Sequence, residues 1–442
     1  MTTFSDPDPI CPRPLFETTA RSVTTSTLDL ITTSRQEIDD IVAGSTAQTA
    51  TFESVLLPLA HTRNYIASKA RILEFYKDVS ADAALRQASR ESTVLLDQFE
   101  TEIGMREDLF CLVNAVAERV PTQELEPESQ RLLSFEHRNF RKNGLAIPAG
   151  PLRDRFRYVK IRLSKVVNDF RKNMTEKSDS VVVFSQAELD GLPVDMLQRM
   201  KQCQGPEGNT GKLSVELDSY HYSVLLKYVN SGETRRRFLT AYDNRCQKNV
   251  PLFEEMVLLR DEAARLLGFT NHAQFRTQEL MAKSPENVLD FLKDLQGQLD
   301  PVVQDELRIL RHLKEQHLQE QHLQGQGPIF DGKFYIWDIN FYHRQLLETR
   351  YSVDQEHIAE YLPVESVVPA MLGIFEEVFG LRFLKHSYEW SGRDNDLTWH
   401  QDVDLYDVWD QDGGFLGYMY LDLWARDNKY GNVASFNLQP GS

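Results

Sequence analysis

Apolar residues spaced three and four positions apart dominate the chain from about residue 28 to 385, and this spacing predicts a mainly α-helical protein. A helix is predicted to begin at Ser284, because Ser caps a helix and Pro285 suits its first turn. Another is predicted over 153–174. One face of that helix carries Phe156, Val159, Leu163, Val166, Val167 and Phe170.

The hydrophobic period changes to two from about residue 403. The runs VDLYDVW (403–409) and FLGYMYLDLW (415–424) flank the turn sequence DQDGG (410–414), which predicts a β-hairpin. A third strand is predicted from about Asn432 to Asn437. We therefore expect a small β-meander whose uncovered outer edge offers a site for self-association.

These patterns divide the chain into three parts. Residues 1–27 contain Pro, Thr and acidic residues without an apolar core, so they match neither a secretory signal nor a transit peptide and predict a flexible N-terminal arm. Residues 28–220 form an N-terminal helical region, and 221–442 form a second region that ends in the β-meander. The C-terminal part of the fold is predicted to be missing.

Charge and composition exclude several classes of partner. The formal net charge is -17, which opposes nucleic acid as a ligand, and no apolar run reaches membrane-spanning length. The four cysteines are widely spaced without a C-x-x-C pair, as is typical of a reducing compartment, so a cytoplasmic location is expected. The cations of 153–172 are interpreted as a solvated helix face paired to nearby carboxylates, with polyanion binding as the alternative.

No common catalytic motif is present. The sequence has no Gly-rich phosphate loop, no G-x-S-x-G, no cysteine-hydrolase signature and no H-E-x-x-H. His312, His317 and His322 recur every five residues, but each step turns a helix by about 140°, so their imidazoles diverge. The repeat is interpreted as a solvated helix tail.

Long segments in colinear order nevertheless carry a specific resemblance. The stretches 337–383 (WDINFYHRQLLETRYSVDQEHIAEYLPVESVVPAMLGIFEEVFGLRF) and 417–441 (GYMYLDLWARDNKYGNVASFNLQPG) closely resemble the thimet oligopeptidase, neurolysin and saccharolysin family. Shorter matches are FRKNGLAIP (140–148), QAELDGLPVDML (186–197), ETRRRFLTAYDNRC (233–246) and RLLGFTNHAQF (265–275).

The resemblance implies a helical metallo-oligopeptidase fold, in which two helical domains flank a deep channel with a small β-sheet beside it. It implies short peptides as substrates and zinc as cofactor. In the family, the zinc ligands, the general base and the oxyanion donors follow the Leu-Gln-Pro-Gly segment, which is where this sequence ends. The resemblance thus predicts a chain truncated before H-E-x-x-H, with no catalytic or metal-binding residue.

The one site that the resemblance carries over is a substrate-binding strand, matched by Gly431, Asn432, Val433 and Ala434. Asn432 stands where the family normally has His, and it cannot titrate near neutral pH. Trp424 and Asn428 replace the usual Tyr and Gly.

Three hypotheses follow. The chain is an oligopeptidase whose expressed form is longer, and is inactive as these 442 residues alone; or it is a non-catalytic pseudo-enzyme that binds peptides or a partner; or it is a non-functional fragment.

Overall fold

The computed structural model describes most of the chain. The described residues are 13–17, 19–119, 125–175, 181–202, 212–325, 327–352, 355–388, 390–393, 396–426, 429–430 and 433–440.

Helices account for most of the described residues. Their bounds are α1 Ala20–Ala43, α2 Leu57–Val79, α3 Ala83–Gly104, α4 Glu107–Arg119, α5 Pro127–Phe140, α6 Pro151–Thr175, α7 Val194–Arg199, α8 Ser219–Tyr228, α9 Gly232–Asp243, α10 Val250–Leu266, α11 His272–Thr277, α12 Pro285–Leu323, α13 Ile339–Tyr351, α14 Gln355–Glu360 and α15 Val364–Phe379. Short π-helical or 3₁₀ turns occupy Phe52–Leu56, Arg141–Leu145, Gln247–Asn249 and Ile336–Asp338. The predicted mainly α-helical fold class is confirmed.

Two small antiparallel sheets complete the secondary structure. The first contains β1 (Val181–Ser185), β2 (Lys201–Gln202) and β3 (Lys212–Glu216) in the order β1-β3-β2. The second contains β4 (Leu381–Lys385), β5 (Asp404–Asp410) and β6 (Phe415–Leu421) in the order β4-β5-β6, with a register shift between Val408 and Trp409. Strands β5 and β6 form the hairpin predicted from the sequence.

The third strand of this meander is not the predicted one. Residues 433–438 have no regular secondary structure, so the predicted strand 432–437 is wrong over its described part, while Asn432 lies outside the described residues. The third strand of the sheet is instead β4, which lies in the region where the hydrophobic spacing predicted helices. Helix α15 stops because Gly380 adopts φ +64°, and the next five residues then pair with β5.

The chain folds as two compact units. One consists of Met1–Arg155 and Val364–Ser442, and the other of Phe156–Pro363. These limits differ from the predicted boundary at residue 220, because the C-terminal sheet shares a core with the N-terminal helices. No helix in the described ranges is both long and apolar enough to cross a membrane.

In the first unit, helices α1, α2 and α3 pack around a large apolar core that Leu438 also joins. Two buried hydrogen bonds fix their register. The hydroxyl of Thr27 bonds that of Ser92 at 2.8 Å, and the hydroxyl of Ser89 donates to the Leu73 carbonyl at 2.7 Å. Each bond satisfies a buried polar group that would otherwise destabilise the core.

Part of the segment predicted to be a flexible arm is ordered. Helix α1 begins at Ala20, and Phe16 is completely buried between Trp399 and Tyr420, with ring centroids 5.1 and 5.7 Å away. Its N–H donates to the Asp396 carbonyl at 2.9 Å. Residues 1–12 lie outside the described part of the chain.

The second unit contains the first sheet and helices α7 to α14. Phe184, Val215, Leu225 and Phe238 form the centre of its apolar cluster around β1, β3, α8 and α9. The 39-residue helix α12 begins as predicted, with the Ser284 hydroxyl accepting from the Asn287 N–H at 3.2 Å, and it continues through Pro301.

Candidate functional site

The substrate-binding residues predicted from the resemblance lie just after the C-terminal sheet. Gly431 and Asn432 are outside the described residues, whereas Val433 and Ala434 begin an irregular segment, 433–437, whose side chains are exposed. Val433 is fully exposed. Within the described part of the chain, the backbone of 433–437 makes no hydrogen bond, so its N–H and C=O groups are available to a ligand.

Apolar contacts hold the far end of this segment. The Phe436 ring packs edge-on against Phe75 of α2 at 4.9 Å and against Tyr430 at 5.3 Å. Leu438 is 9% exposed and joins the core of the first unit. The segment is therefore anchored downstream although its backbone is unpaired.

The near end is tied to the C-terminus of helix α2. The Tyr430 N–H donates to the Asp78 carbonyl at 3.0 Å, and the Arg426 guanidinium donates to the Val79 carbonyl at 3.1 and 3.2 Å. Carbonyls in the last turn of a helix have no helical partner, and an Arg complements their partial negative charge. Both bonds thus use groups that α2 leaves free.

Asp422 organises the connection between strand β6 and this segment. Its carboxylate accepts two hydrogen bonds from Arg426 at 2.6 and 2.7 Å, one from Lys429 at 2.9 Å and one from the Trp399 indole at 3.0 Å. Burial would raise the pKa of the Asp422 carboxyl, but these hydrogen bonds outweigh it and hold the pKa below its ordinary value. Asp422 is therefore an ionised, fully bonded hub.

Trp399 links this hub to the hydrophobic core. Its ring packs edge-on against Phe75 at 4.7 Å and lies 5.4 Å from the Tyr420 ring. Sequence reasoning missed the roles of both Trp399 and Asp422. No local pattern indicated these roles, because Asp422 and Arg426 are four residues apart in a segment that is not helical.

A cleft of about 590 Å³ opens at the end of β4 and the start of β5, and it is lined in part by His386, Tyr388 and Trp390. Beside it, His386 Nδ1 lies 3.7 Å from Asp407, and Arg13 Nη1 lies 3.2 Å from His386 Nε2. Because Arg can only donate, Nε2 is an acceptor already engaged. His386 is thus not placed to activate a hydroxyl nucleophile.

The described residues do not fit a zinc site. No group of three or more His, Cys, Asp or Glu side chains in these ranges could hold a metal ion. No chemical step through a metal is therefore assigned to these residues.

The histidine repeat lies in α12, and its members have different surroundings. His317 Nδ1 lies 3.1 Å from the Tyr342 hydroxyl, and the ring packs beside Phe341. The His312 side chain is 66% exposed. The interpretation as a solvated tail is therefore wrong for His317, because α13 covers that face of the helix.

Comparison with known proteins identifies the family. Residues 225–442 match the model of Peptidase family M3. Saccharolysin of Saccharomyces cerevisiae is 28% identical over 439 residues, which is 97% of this chain and 60% of the relative. Oligopeptidase PhomG' of Diaporthe leptostromiformis is 32% identical over 91% of this chain and 33% of the relative. The thimet-like oligopeptidase of Dictyostelium discoideum is 28% identical over 84% of this chain and 54% of the relative.

The fold class and these matches define a mainly α-helical peptidase-type chain. Residues 225–442 belong to Peptidase family M3, and the chain is similar over most of its length to oligopeptidases such as saccharolysin, as the sequence resemblance predicted. It spans between about a third and six tenths of the length of the relatives compared.

Proposed function

We propose that the chain is an oligopeptidase-type metallopeptidase acting on short peptides, and that these 442 residues by themselves bind such peptides without hydrolysing them. The observation that carries the proposal is the match of 225–442 to Peptidase family M3, since it includes the segment that carries the substrate-strand resemblance. The names of the relatives, oligopeptidase among them, support peptides as the ligand class.

The proposed binding element is the backbone of Gly431, Asn432, Val433 and Ala434. An extended peptide can pair with unpaired main-chain N–H and C=O groups without needing particular side chains. The exposure of Val433 and the unpaired backbone of 433–437 support this role, and the anchors at Tyr430 and Leu438 limit the entropy that ordering the segment would cost.

The proposed lack of hydrolysis rests on the zinc-binding and basic side chains that catalysis would need. A zinc peptidase needs ligands for the ion and a base for the bound water, and the sequence contains no H-E-x-x-H to supply them. The second candidate function is a pseudo-enzyme that binds peptides or a protein partner. A cytoplasmic location is proposed on the basis of the widely spaced cysteines, of which Cys111 and Cys246 are free.

A binding experiment tests the substrate segment. Replacing Val433 by Pro removes one backbone N–H, so the affinity for a labelled short peptide, measured by fluorescence anisotropy, should fall by about fivefold to tenfold. Val433→Ala is the matched control, because it keeps the N–H and removes only exposed methyl groups. Equal affinities for the two variants would place the peptide elsewhere.

A second experiment tests hydrolysis. The purified chain should cleave a quenched fluorescent peptide no faster than a sample treated with a zinc chelator. Turnover that the chelator abolishes would overturn the proposed inactivity, whereas binding without turnover would support it.

A further inference from the structure

The cleft between the end of β4 and the start of β5 lies within the first unit, and hydrogen bonds hold one of its walls in place. This wall is formed by the described residues of the loop 386–402. The Asp396 carboxylate accepts from the N–H of Ser391 at 2.8 Å and from its hydroxyl at 3.0 Å. The Tyr388 hydroxyl bonds that of Thr398. Because these bonds preform the wall, a ligand does not have to order it.

The lining of the cleft combines aromatic and charged side chains. Tyr388 and Trp390 lie in it together with Lys385 and Asp404. The Lys385 ammonium is 2.8 Å from the Asp404 carboxylate, and the two side chains are 57% and 42% exposed. An ion pair this exposed is weak, and an ammonium has three donor hydrogens, so Lys385 can bind a further acceptor. The volume of about 590 Å³ falls within the range of roughly 300–1,000 Å³ that is usual for ligand pockets.

The first described residues of the chain lie against the same wall. Phe16 pairs with Asp396 in an isolated antiparallel β-bridge. Three residues earlier, the Arg13 guanidinium donates to His386 Nε2 at 3.2 Å and to the Asp407 carboxylate at 3.4 Å. His386 is itself a lining residue of the cleft. The residues that precede Arg13 are therefore tethered directly beside the cleft.

The sequence just before Arg13 is rich in proline. Residues 6–12, which lie outside the described part of the chain, read DPDPICP, and 9–12 is a P-x-x-P sequence. Sequences of this kind favour the polyproline II conformation, and they dock in aromatic-lined grooves with little loss of conformational entropy. The two aspartates of the segment supply carboxylates that suit the Lys385 ammonium. Its chemistry thus matches the cleft beside which it is tethered.

We propose that the proline-rich segment 6–12 binds in this cleft of its own chain, with prolines against Tyr388 and Trp390 and a carboxylate on Lys385. Tethering through Arg13 gives the segment an effective concentration on the order of millimolar, so a contact that is weak between separate molecules is occupied within one chain. The bound segment then excludes other ligands from the cleft. The inference goes beyond the proposed function, since it involves neither peptide hydrolysis nor the segment 431–434.

Competition between this segment and a free copy of it tests the proposal. The probe is a labelled peptide of residues 1–12 carrying Cys11→Ser, and its binding to the full chain is measured by fluorescence anisotropy. The variant Pro7→Ser/Pro9→Ser/Pro12→Ser should bind the probe about tenfold or more tightly than the parent chain, because its own segment no longer competes. Thr2→Ala/Thr3→Ala/Ser5→Ala is the matched control. It keeps every proline and should bind the probe as weakly as the parent chain.

Substitutions in the cleft, made in the triple proline variant, locate the bound probe. Trp390→Ala should weaken its binding about fivefold or more, whereas Trp424→Ala, at an exposed tryptophan outside the cleft, should leave it unchanged. If Trp390→Ala does not fold, Lys385→Gln, at an exposed position, must weaken the binding instead. Val433→Pro should have no effect, which separates the cleft from the peptide-binding segment proposed above.

Two results overturn the proposal. The first is equal binding of the probe, or no binding, by the parent chain and the triple proline variant. The second is full affinity in the cleft variants. A loss of binding with Val433→Pro alone would place the probe on the segment 431–434, and it would overturn docking in the cleft while leaving the proposed function intact.

Discussion

The Arg235 guanidinium donates a hydrogen bond of 2.8 Å to the Asp338 carboxylate, and both side chains are 2% exposed. Arg235 lies in α9, and Asp338 directly precedes α13. Lys314 of α12 donates to the other carboxylate oxygen at 2.7 Å, so three helices of the second unit meet at one buried charge. Arg235 and Asp338 each fall in a sequence segment that carries the family resemblance, which gives those segments a structural role.

Removing one member of this cluster should destabilise the second unit strongly. Arg235→Met leaves Asp338 buried with less compensation, and the expected loss is about 3–5 kcal/mol. Urea unfolding followed by circular dichroism measures it. The neighbouring Arg236→Gln removes an exposed ion pair and should change the stability by less than about 1 kcal/mol, so equal losses in the two variants would contradict the assigned role.

The N-terminal segment should contribute to the stability of the first unit. Phe16→Ala removes a completely buried ring and is expected to cost about 3–5 kcal/mol, whereas Leu15→Ala alters a residue that is 48% exposed and should cost about 0.5 kcal/mol or less. Chemical denaturation of the two variants gives the comparison. A small effect of Phe16→Ala would mean that the segment is not part of the stable core.

Asp422→Asn should loosen the connection that holds the candidate peptide segment. The variant weakens charge-assisted hydrogen bonds from Arg426 and Lys429, at a cost of about 2 kcal/mol or more. Limited proteolysis should then cut within 422–440 sooner than in the parent chain. Asp412→Asn, in the exposed hairpin turn, is the control and should leave the cleavage rate unchanged.

The same carboxyl group has a defined pH dependence. Because the folded-state pKa of Asp422 is lowered, its contribution to stability is present above the ordinary Asp pKa and is lost as the pH falls through the lowered folded value. The stability difference between the parent chain and Asp422→Asn should therefore shrink in acid. A difference that stays constant down to about pH 2 would contradict this assignment.

His317 should make the fold sensitive to mild acid. Burial, and then the charge of Arg235, lower the pKa of His317, so the unfolded chain takes up a proton more readily than the folded chain. Stability should fall as the pH drops below about 6.5, and His317→Gln should reduce that fall, as measured by urea unfolding across pH 5 to 8. His312→Gln, at an exposed position of the same helix, is the matched control for the substitution.

The zinc content of the purified chain tests two predictions, that the histidine repeat does not hold a metal ion and that the sequence contains no zinc site. After dialysis, elemental analysis should find far less than one zinc ion per chain, because isolated imidazoles on diverging helix faces bind weakly. Stoichiometric zinc that resists a chelator would reveal a site that neither the motifs nor the described geometry indicates.

Periodicity was sufficient to predict that the helices α6 and α12 and the hairpin β5–β6 exist, and α6 buries the predicted positions Phe156, Val159 and Val166, whereas Leu292, Leu295 and Leu299 of α12 are exposed. It failed for β1 to β3, which have two to five residues each and are stabilised by their pairing rather than by an alternating pattern. It carries no information on the unit boundaries, which depend on contacts between distant parts of the chain.

The candidate site was likewise predictable from the sequence only in part. The segment 431–434 came from resemblance alone, because an unpaired backbone has no side-chain signature. Its anchors became visible only in three dimensions, since the contact of Trp399 with Phe75 joins residues that no local pattern relates.

The discontinuity of the first unit has a consequence for biosynthesis. Phe75 leaves the ribosome 324 residues before Trp399 and 361 residues before Phe436, which at roughly 5–20 residues per second is a delay of about 16–72 s. During that interval the intervening Phe156–Pro363 unit can complete its own packing, while the early helices still expose the apolar surface that the C-terminal residues will cover. The nascent N-terminal helices are thus the part of this protein with the longest need for chaperone protection.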